Sequence, residues 1–331
     1  MSAHPSPEKI VQISTGGWTC AVLGAAVTHS LFNHLEADGN TAAALREKIP
    51  ISDRGLQALL DGLTGMGLLQ LQGGKYRNSP EASMYLVEGK PAYLGGFARL
   101  NLQDLKRWTE FPEVVKTGVP IDENTSELPE NEYWEWLVPS IATLSMPLAQ
   151  VSAERLQIAK AGPVAWLDVG GGSGVYSAIW LKMNPQAQAY QLDWPNVNRV
   201  AKQYVGAYGV ADRFNALDGD FHVTDFGQAK YDFAIYSHIA HQESPSSNAE
   251  IFKKFKAALK PGGTLLISDF ILNDDRSGHP FALNFNAMMV LHTKAGATYR
   301  KADYEAWLKE AGFKNIAIEG TVTPASLIYA S

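Results

Sequence analysis

Cysteine is nearly absent: Cys20 is the one thiol in 331 residues. No intrachain disulfide can form, and a reducing compartment is expected. Long apolar runs are missing too, since no stretch approaches the roughly 18 residues that a membrane helix needs. The N-terminal Met1 to Gln12 carries Glu8 and Lys9 without a long apolar core, unlike a targeting segment. A soluble, cytoplasmic protein with no membrane partner is expected. Basic surplus is also lacking. The 28 Lys plus Arg against 34 Asp plus Glu leave a net charge of −6, which argues against displacing counterions from nucleic acid. Repeats and low-complexity tracts do not occur. What remains is 46% hydrophobic and 19% charged residues, ordinary values for a chain long enough for two globular domains.

Residues 8 to about 100 read as helices. Thr41 can cap a short helix, and Leu56, Leu59, Leu60, Leu63 and Met66 line one face of the next. Leu68 to Leu71 reads as a strand, Gly73-Gly74 as a turn and Lys75 to Arg77 as a returning strand, which together make a helix-turn-helix with a small wing. On DNA the second helix would have to meet phosphates and base edges, yet Asp53 and Asp61 face a single Arg54 there. The apolar stretch Gly17 to Leu31 suits packing on a partner subunit better. Three segments are therefore expected: an all-α interaction domain over 1–100, a helical linker over 101–160, and an α/β domain over 161–331.

The linker contains an irregular acidic insert from Pro120 to Glu132, and Trp108, Phe111, Tyr133, Trp134 and Trp136 crowd into it. Beyond Pro163 the pattern changes to short apolar runs separated by helices. Val164 to Val169, Ala189 to Leu192, Tyr231 to Tyr236 and Thr264 to Ser268 read as buried parallel strands of an open, Rossmann-like sheet.

The strongest chemical signal is Asp168-Val169-Gly170-Gly171-Gly172-Ser173-Gly174, a strand running into a glycine turn and then a helix. Glycines at Gly170, Gly172 and Gly174 would let backbone approach a ligand closely. The dinucleotide fingerprint would need glycine at 175 or 177, where this chain has Val175 and Ser177, so a pyrophosphate ligand is disfavoured. Asp193 closes the next strand, where a carboxylate suits a ribose diol. Asp220-Phe221 follows the third, with a carboxylate for an adenine amino group and a ring to cover the base.

These residues resemble the class I S-adenosylmethionine-dependent methyltransferases, and the whole chain is similar to their small-molecule O-methyltransferases, of plant caffeate and bacterial natural-product type. The resemblance implies a Rossmann-like class I methyltransferase sheet, an N-terminal winged-helix domain that makes a homodimer without binding DNA, S-adenosyl-L-methionine as cofactor, and a small, aromatic acceptor. It also implies a catalytic base at His241 in Ser237-His238-Ile239-Ala240-His241, although the two residues after His241 differ from the family's segment. Asp269 matches the carboxylate that orients the base, and Tyr299 stands where a second orienting carboxylate would be.

Asn284, Met288 and His292, spaced by four, share a helix face that should line the acceptor. Met289 matches a substrate position of the family, and Trp108, Met146 and His238 complete the expected wall. O-methylation is expected, with C- or N-methylation and a DNA-binding regulator as alternatives. His238, His241, Glu243 and His292 could in principle gather a divalent ion. Methyl transfer from a sulfonium needs no Lewis acid, so no metal is expected.

Overall fold

The computed structural model describes residues 5–121, 128 and 130–331. The expected acidic insert lies largely outside them. Two compact units form, Met1–Thr109 and Glu110–Ser331. The segment 101–160, expected as a linker of its own, is divided between them: its first turns complete a helix of the first unit.

The first unit contains helices α1 (Glu8–Ser14), α2 (Gly16–Thr28), α3 (Ala42–Arg46) and α4 (Asp53–Gly65). A hairpin of β1 (Leu69–Gln72) and β2 (Lys75–Asn78), then α5 (Pro80–Tyr85) and α6 (Gly95–Trp108), complete it. Helix starts follow the sequence signals. Thr41 Oγ1 accepts from the Ala44 N–H at 3.2 Å, and Ser52 Oγ from that of Gly55 at 3.1 Å, each satisfying an orphan first-turn donor. Leu56, Leu60 and Leu63 are buried with Phe32, Leu45 and Leu69 in one core. The antiparallel hairpin pairs Leu69 with Asn78 and Gln72 with Lys75, which is the wing that the sequence led one to expect.

The second unit begins with α7 (Phe111–Thr117) and the long α8 (Tyr133–Arg155). The alternation follows as β3 (Ala165–Val169), α9 (Val175–Met183), β4 (Gln188–Asp193), α10 (Pro195–Ala207), β5 (Phe214–Asp218), β6 (Tyr231–Ser237), α11 (Pro245–Ala258) and β7 (Leu259–Asp269). After α12 (Pro280–His292) and α13 (Lys301–Glu310) come β8 (Ile316–Gly320) and β9 (Ser326–Ala330). The sheet order is β5-β4-β3-β6-β7-β9-β8. The four strands expected to be parallel are so, with β5 as a fifth beside β4, whereas β9 runs antiparallel to both β7 and β8, a pair absent from the sequence reading. Growth of the sheet reverses between β3 and β6. Such a switch point opens a crevice at the carboxyl ends of the strands.

Apolar layers cover both faces of this sheet. On one, Trp166 and Trp180 meet edge to face at 5.4 Å beneath Tyr176 and Leu181. On the other, Phe252, Phe255, Tyr236 and Tyr304 pack together. Burial on both faces is why these strands read as continuous apolar runs instead of alternating ones.

Candidate active site

Asp168, Asp193, Asp220, His238, His241 and Asp269 all lie at or just beyond the carboxyl ends of strands at that crevice, whereas Asn284 and His292 lie on α12. The turn after β3 holds Gly170 at φ +63° and Gly174 at φ +71°, left-handed values that side chains with a Cβ rarely adopt. Space is lacking as well. A Cβ on Gly170 would lie 2.7 Å from Ile239, and one on Gly174 would lie 2.9 Å from Val205. Gly172, also left-handed at φ +57°, donates its N–H to Asp193 Oδ2 at 2.9 Å.

Asp193 Oδ1 takes the N–H of Trp194 at 2.8 Å, so the carboxylate is fixed against the turn while each oxygen keeps acceptor capacity. Asp168 is 1% exposed. Its Oδ2 accepts from the Ser177 hydroxyl at 3.2 Å, whereas Oδ1 has no partner. Burial pushes both carboxyls up to about 7, for Asp168 with a further push from the charge of Asp193, and against the hydrogen bonds that each receives. An orphaned buried carboxylate oxygen beside a second costly carboxylate fits a ligand that brings cationic and hydroxyl groups. On α10, Asn198 Nδ2 reaches the carbonyls of Asp193 and Leu217 and the carboxylate of Asp218 at 3.2, 3.0 and 2.7 Å. It thereby ties the ends of β4 and β5 together.

Beyond β5, Asp220 and Phe221 stand next to His222. The His222 ring has Asp220 Oδ1 at 2.7 Å from Nδ1 and Glu243 Oε2 at 2.9 Å from Nε2. Sequence reasoning did not single out His222, although its place directly after Asp220-Phe221 was a usable signal.

His241 lies on a short turn after β6. Its carbonyl accepts from the Ala297 N–H at 2.8 Å, and the carbonyl of Ala240 accepts from Asn248 Nδ2 at 2.8 Å. Asp269 ends β7, fully buried. It accepts from the His241 backbone N–H at 3.1 Å, the Phe270 N–H at 2.8 Å and the Tyr304 hydroxyl at 2.9 Å. His241 Nδ1 lies 2.6 Å from Asp269 Oδ1. Burial alone would raise the Asp269 carboxyl, but the charge and hydrogen bond of His241 more than offset it and hold the group below its ordinary value. An ionised Asp269 can only accept, so Nδ1 carries the proton and Nε2 is left as the basic nitrogen.

Tyr299 does not take the place of a second orienting carboxylate. Its hydroxyl donates to the carbonyl of Glu243 at 2.5 Å, and Tyr304, 35 residues along the chain from Asp269, provides the additional contact to the dyad.

His238 adopts φ +57°, a strained conformation for a residue with a Cβ. Burial holds its imidazole down to about 4 against the opposing pull of Asp269, so the ring is neutral at physiological pH. Phe270 lies 4.8 Å from the His238 ring and 4.6 Å from Phe285, which meets His241 edge-on at 4.8 Å. Phe281 joins them 5.0 Å from Phe270. This aromatic wall escaped the sequence reading because Phe281 and Phe285, four apart on α12, read equally well as core.

The other expected lining residues differ in exposure and in the element that carries them. On α12, Asn284 is exposed, Met288 half-buried, and Met289 and His292 buried. Met146 packs partly buried against the core around Trp166 and Trp180, and Trp108 ends α6 in the first unit. Of the groups weighed for a divalent ion, Glu243 is engaged with His222 and Ser247. The set with suitable spacing among the described residues is His238, His241 and Asp269, where Asp269 already receives the His241 backbone and ring N–H, the Phe270 N–H and the Tyr304 hydroxyl.

Comparison with known proteins identifies the family. Residues 153–314 match the family model of an O-methyltransferase domain, and residues 11–88 that of an O-methyltransferase dimerisation domain. The chain is 30% identical over 330 residues to 3-hydroxy-5-methyl-1-naphthoate 3-O-methyltransferase of Streptomyces sahachiroi, covering 97% of this chain and 93% of the relative. It is 27% identical to the tetracenomycin polyketide synthesis 8-O-methyl transferase of Streptomyces glaucescens, covering 97% and 95%. A solved structure of a candidate O-methyltransferase from Nostoc punctiforme superposes with a TM-score of 0.90 at 25% identity, covering 99% of each chain.

Proposed function

Since the chain belongs to the O-methyltransferase family and carries that family's dimerisation domain, we propose that it methylates a hydroxyl oxygen of a small, flat aromatic acceptor, with His241 as general base. S-adenosylmethionine is the cofactor; when bound it supplies a methyl group already activated by positive charge on sulfur. The Gly170–Gly174 turn, Asp168, Asp193 and Asp220-Phe221 would hold it. Asp193 suits the ribose hydroxyls, and the orphaned Asp168 oxygen suits a cationic group.

The observation that carries the reading is the 2.6 Å pair of His241 and Asp269 beside a wall of phenylalanines. His241 Nε2 takes the proton of the acceptor hydroxyl as its oxygen becomes nucleophilic, and Asp269 stabilises the imidazolium that forms. His238, kept neutral, adds no charge to oppose that proton. Phe270, Phe281 and Phe285 offer flat apolar surface for aligning a ring and excluding water. The two Streptomyces relatives, named for a hydroxynaphthoate and a polyketide, support an aromatic acceptor. The test is acceptor-dependent methyl transfer to hydroxynaphthoate probes, with the corresponding methyl ethers inert.

The first unit supports assembly as a homodimer. α1 buries none of its residues, and Ile10 and Ile13 on it and Trp18 on α2 are 69%, 70% and 73% exposed, large apolar side chains of the kind that an interface covers. Sedimentation should give twice 36.1 kDa. A strict monomer at micromolar concentration would contradict the assignment.

A further inference from the structure

His222 lies between two carboxylates that belong to different loops of the second unit. Asp220 follows β5, beside the Phe221 assigned above to the adenine; Glu243 follows β6, two residues beyond His241. The ring nitrogens meet Asp220 Oδ1 at 2.7 Å and Glu243 Oε2 at 2.9 Å. A neutral imidazole has one N–H and can donate to only one of them. The doubly protonated ring donates to both, and its hydrogen bond to Glu243 is the main reason that the group is raised to about 9.

The surroundings hold both ends in place. Asp220 Oδ1 also takes the His222 backbone N–H at 2.8 Å, and Glu243 Oε2 takes the Ser247 hydroxyl at 2.5 Å. Lys254 Nζ donates to the carbonyls of Phe221 and His222 at 2.7 and 2.8 Å. The Glu243 backbone is pinned by Tyr299 through its carbonyl. Glu243 is largely buried, its side chain 11% exposed, whereas that of His222 is 45% exposed. The pair therefore stands at the rim of the crevice, where an ordinary surface ion pair would contribute little, but here both carboxylates are already fixed by other bonds.

We propose that His222 is a positioning residue: clamped between Asp220 and Glu243, it links the loop assigned to the adenine with the loop that carries His241, so that cofactor binding at one is felt at the other. The inference rests on the cofactor site proposed above. It gives a role to two residues that the base and the cofactor cradle leave unused. A cofactor contact on the adenine side shifts the Asp220 carboxylate against the imidazolium, and the imidazolium carries the shift to Glu243 and with it to the turn bearing His241.

The experiment uses the full chain with S-adenosylhomocysteine as probe, comparing wild type, His222→Asn, Glu243→Gln and the double variant. Calorimetry gives affinity, and NMR of ¹³C-labelled histidine follows the His241 ring as the probe is added. Wild type should bind, with its His241 signal moving. His222→Asn should weaken binding about tenfold, as loss of charge-assisted hydrogen bonds does, and abolish that movement. The double variant should bind no worse than His222→Asn, because the two changes break one link. Failure of wild type to bind would remove the cofactor site itself. Tight binding by wild type with unchanged affinity and an unchanged His241 response in His222→Asn would overturn the clamp alone. Should His222→Asn fail to fold, the isosteric Glu243→Gln decides: about threefold weaker binding with a diminished His241 response supports the clamp, and wild-type behaviour overturns it.

Discussion

Replacing His241 with alanine lowers kcat by roughly 10²- to 10⁴-fold and leaves S-adenosylhomocysteine affinity near that of wild type. The asymmetry follows from when the lost interaction exists. In the resting site His241 contacts Asp269 and the phenylalanine wall, whereas its service to the acceptor begins as the hydroxyl proton leaves. Asp269→Asn gives a smaller loss, because an amide oxygen can still receive Nδ1–H but no longer offers a charge to the imidazolium. If the new bond were to carbon or to a neutral amine, His241→Ala would cost little, and single-turnover rates at saturating donor would reveal it.

Asp193→Ala weakens S-adenosylhomocysteine binding by on the order of 1.5 to 3 kcal/mol, roughly ten- to a hundredfold. Two losses combine: the acceptor for the ribose, and the restraint on Gly172 and Trp194. Calorimetry showing unchanged affinity would remove the ribose assignment, and saturable NADH binding in the same cell would point to a dinucleotide site. The raised carboxyls of Asp168 and Asp193, both near 7, give this site a pH signature. Cationic S-adenosylmethionine favours their ionised forms, so below pH 7 its binding must first expel protons. Affinity should rise with pH through 7 and be weaker at pH 6 than at pH 8 by about tenfold for each carboxylate that must ionise, hence by about a hundredfold if both do. A flat profile in wild type would mean that neither carboxylate meets the ligand.

Strand ends were the most legible part of the sequence. Asp168, Asp193 and Asp269 each terminate an apolar run, and a buried parallel strand has to place its last polar residue at the crevice. The paired β8 and β9 were harder to see: Ile316–Gly320 and Ser326–Ala330 sit on the outer side of β7, joined by a loop whose Val322 is fully exposed, and no turn dipeptide marks them. Contacts that depend on register were out of reach. Tyr304 on α13 meets Asp269 at the end of β7, and His222 after β5 meets Glu243 after β6; neither distance is encoded in local spacing. Phe270, Phe281 and Phe285 belong to the same class, since a phenylalanine beside a site and one in a core have identical local patterns.

The central claim, transfer of a methyl group to an acceptor oxygen at the His241–Asp269 pair, is tested most directly by the position of the transferred carbon. Incubating the enzyme with S-adenosylmethionine labelled with ¹³C in its methyl group and with the hydroxynaphthoate probes should give a product whose labelled methyl couples through oxygen to the ring in a two-dimensional carbon–proton spectrum. The same product should form at a rate lower by at least about a hundredfold with His241→Ala. A label bonded to ring carbon or to nitrogen, or a product formed equally fast by His241→Ala, would contradict it.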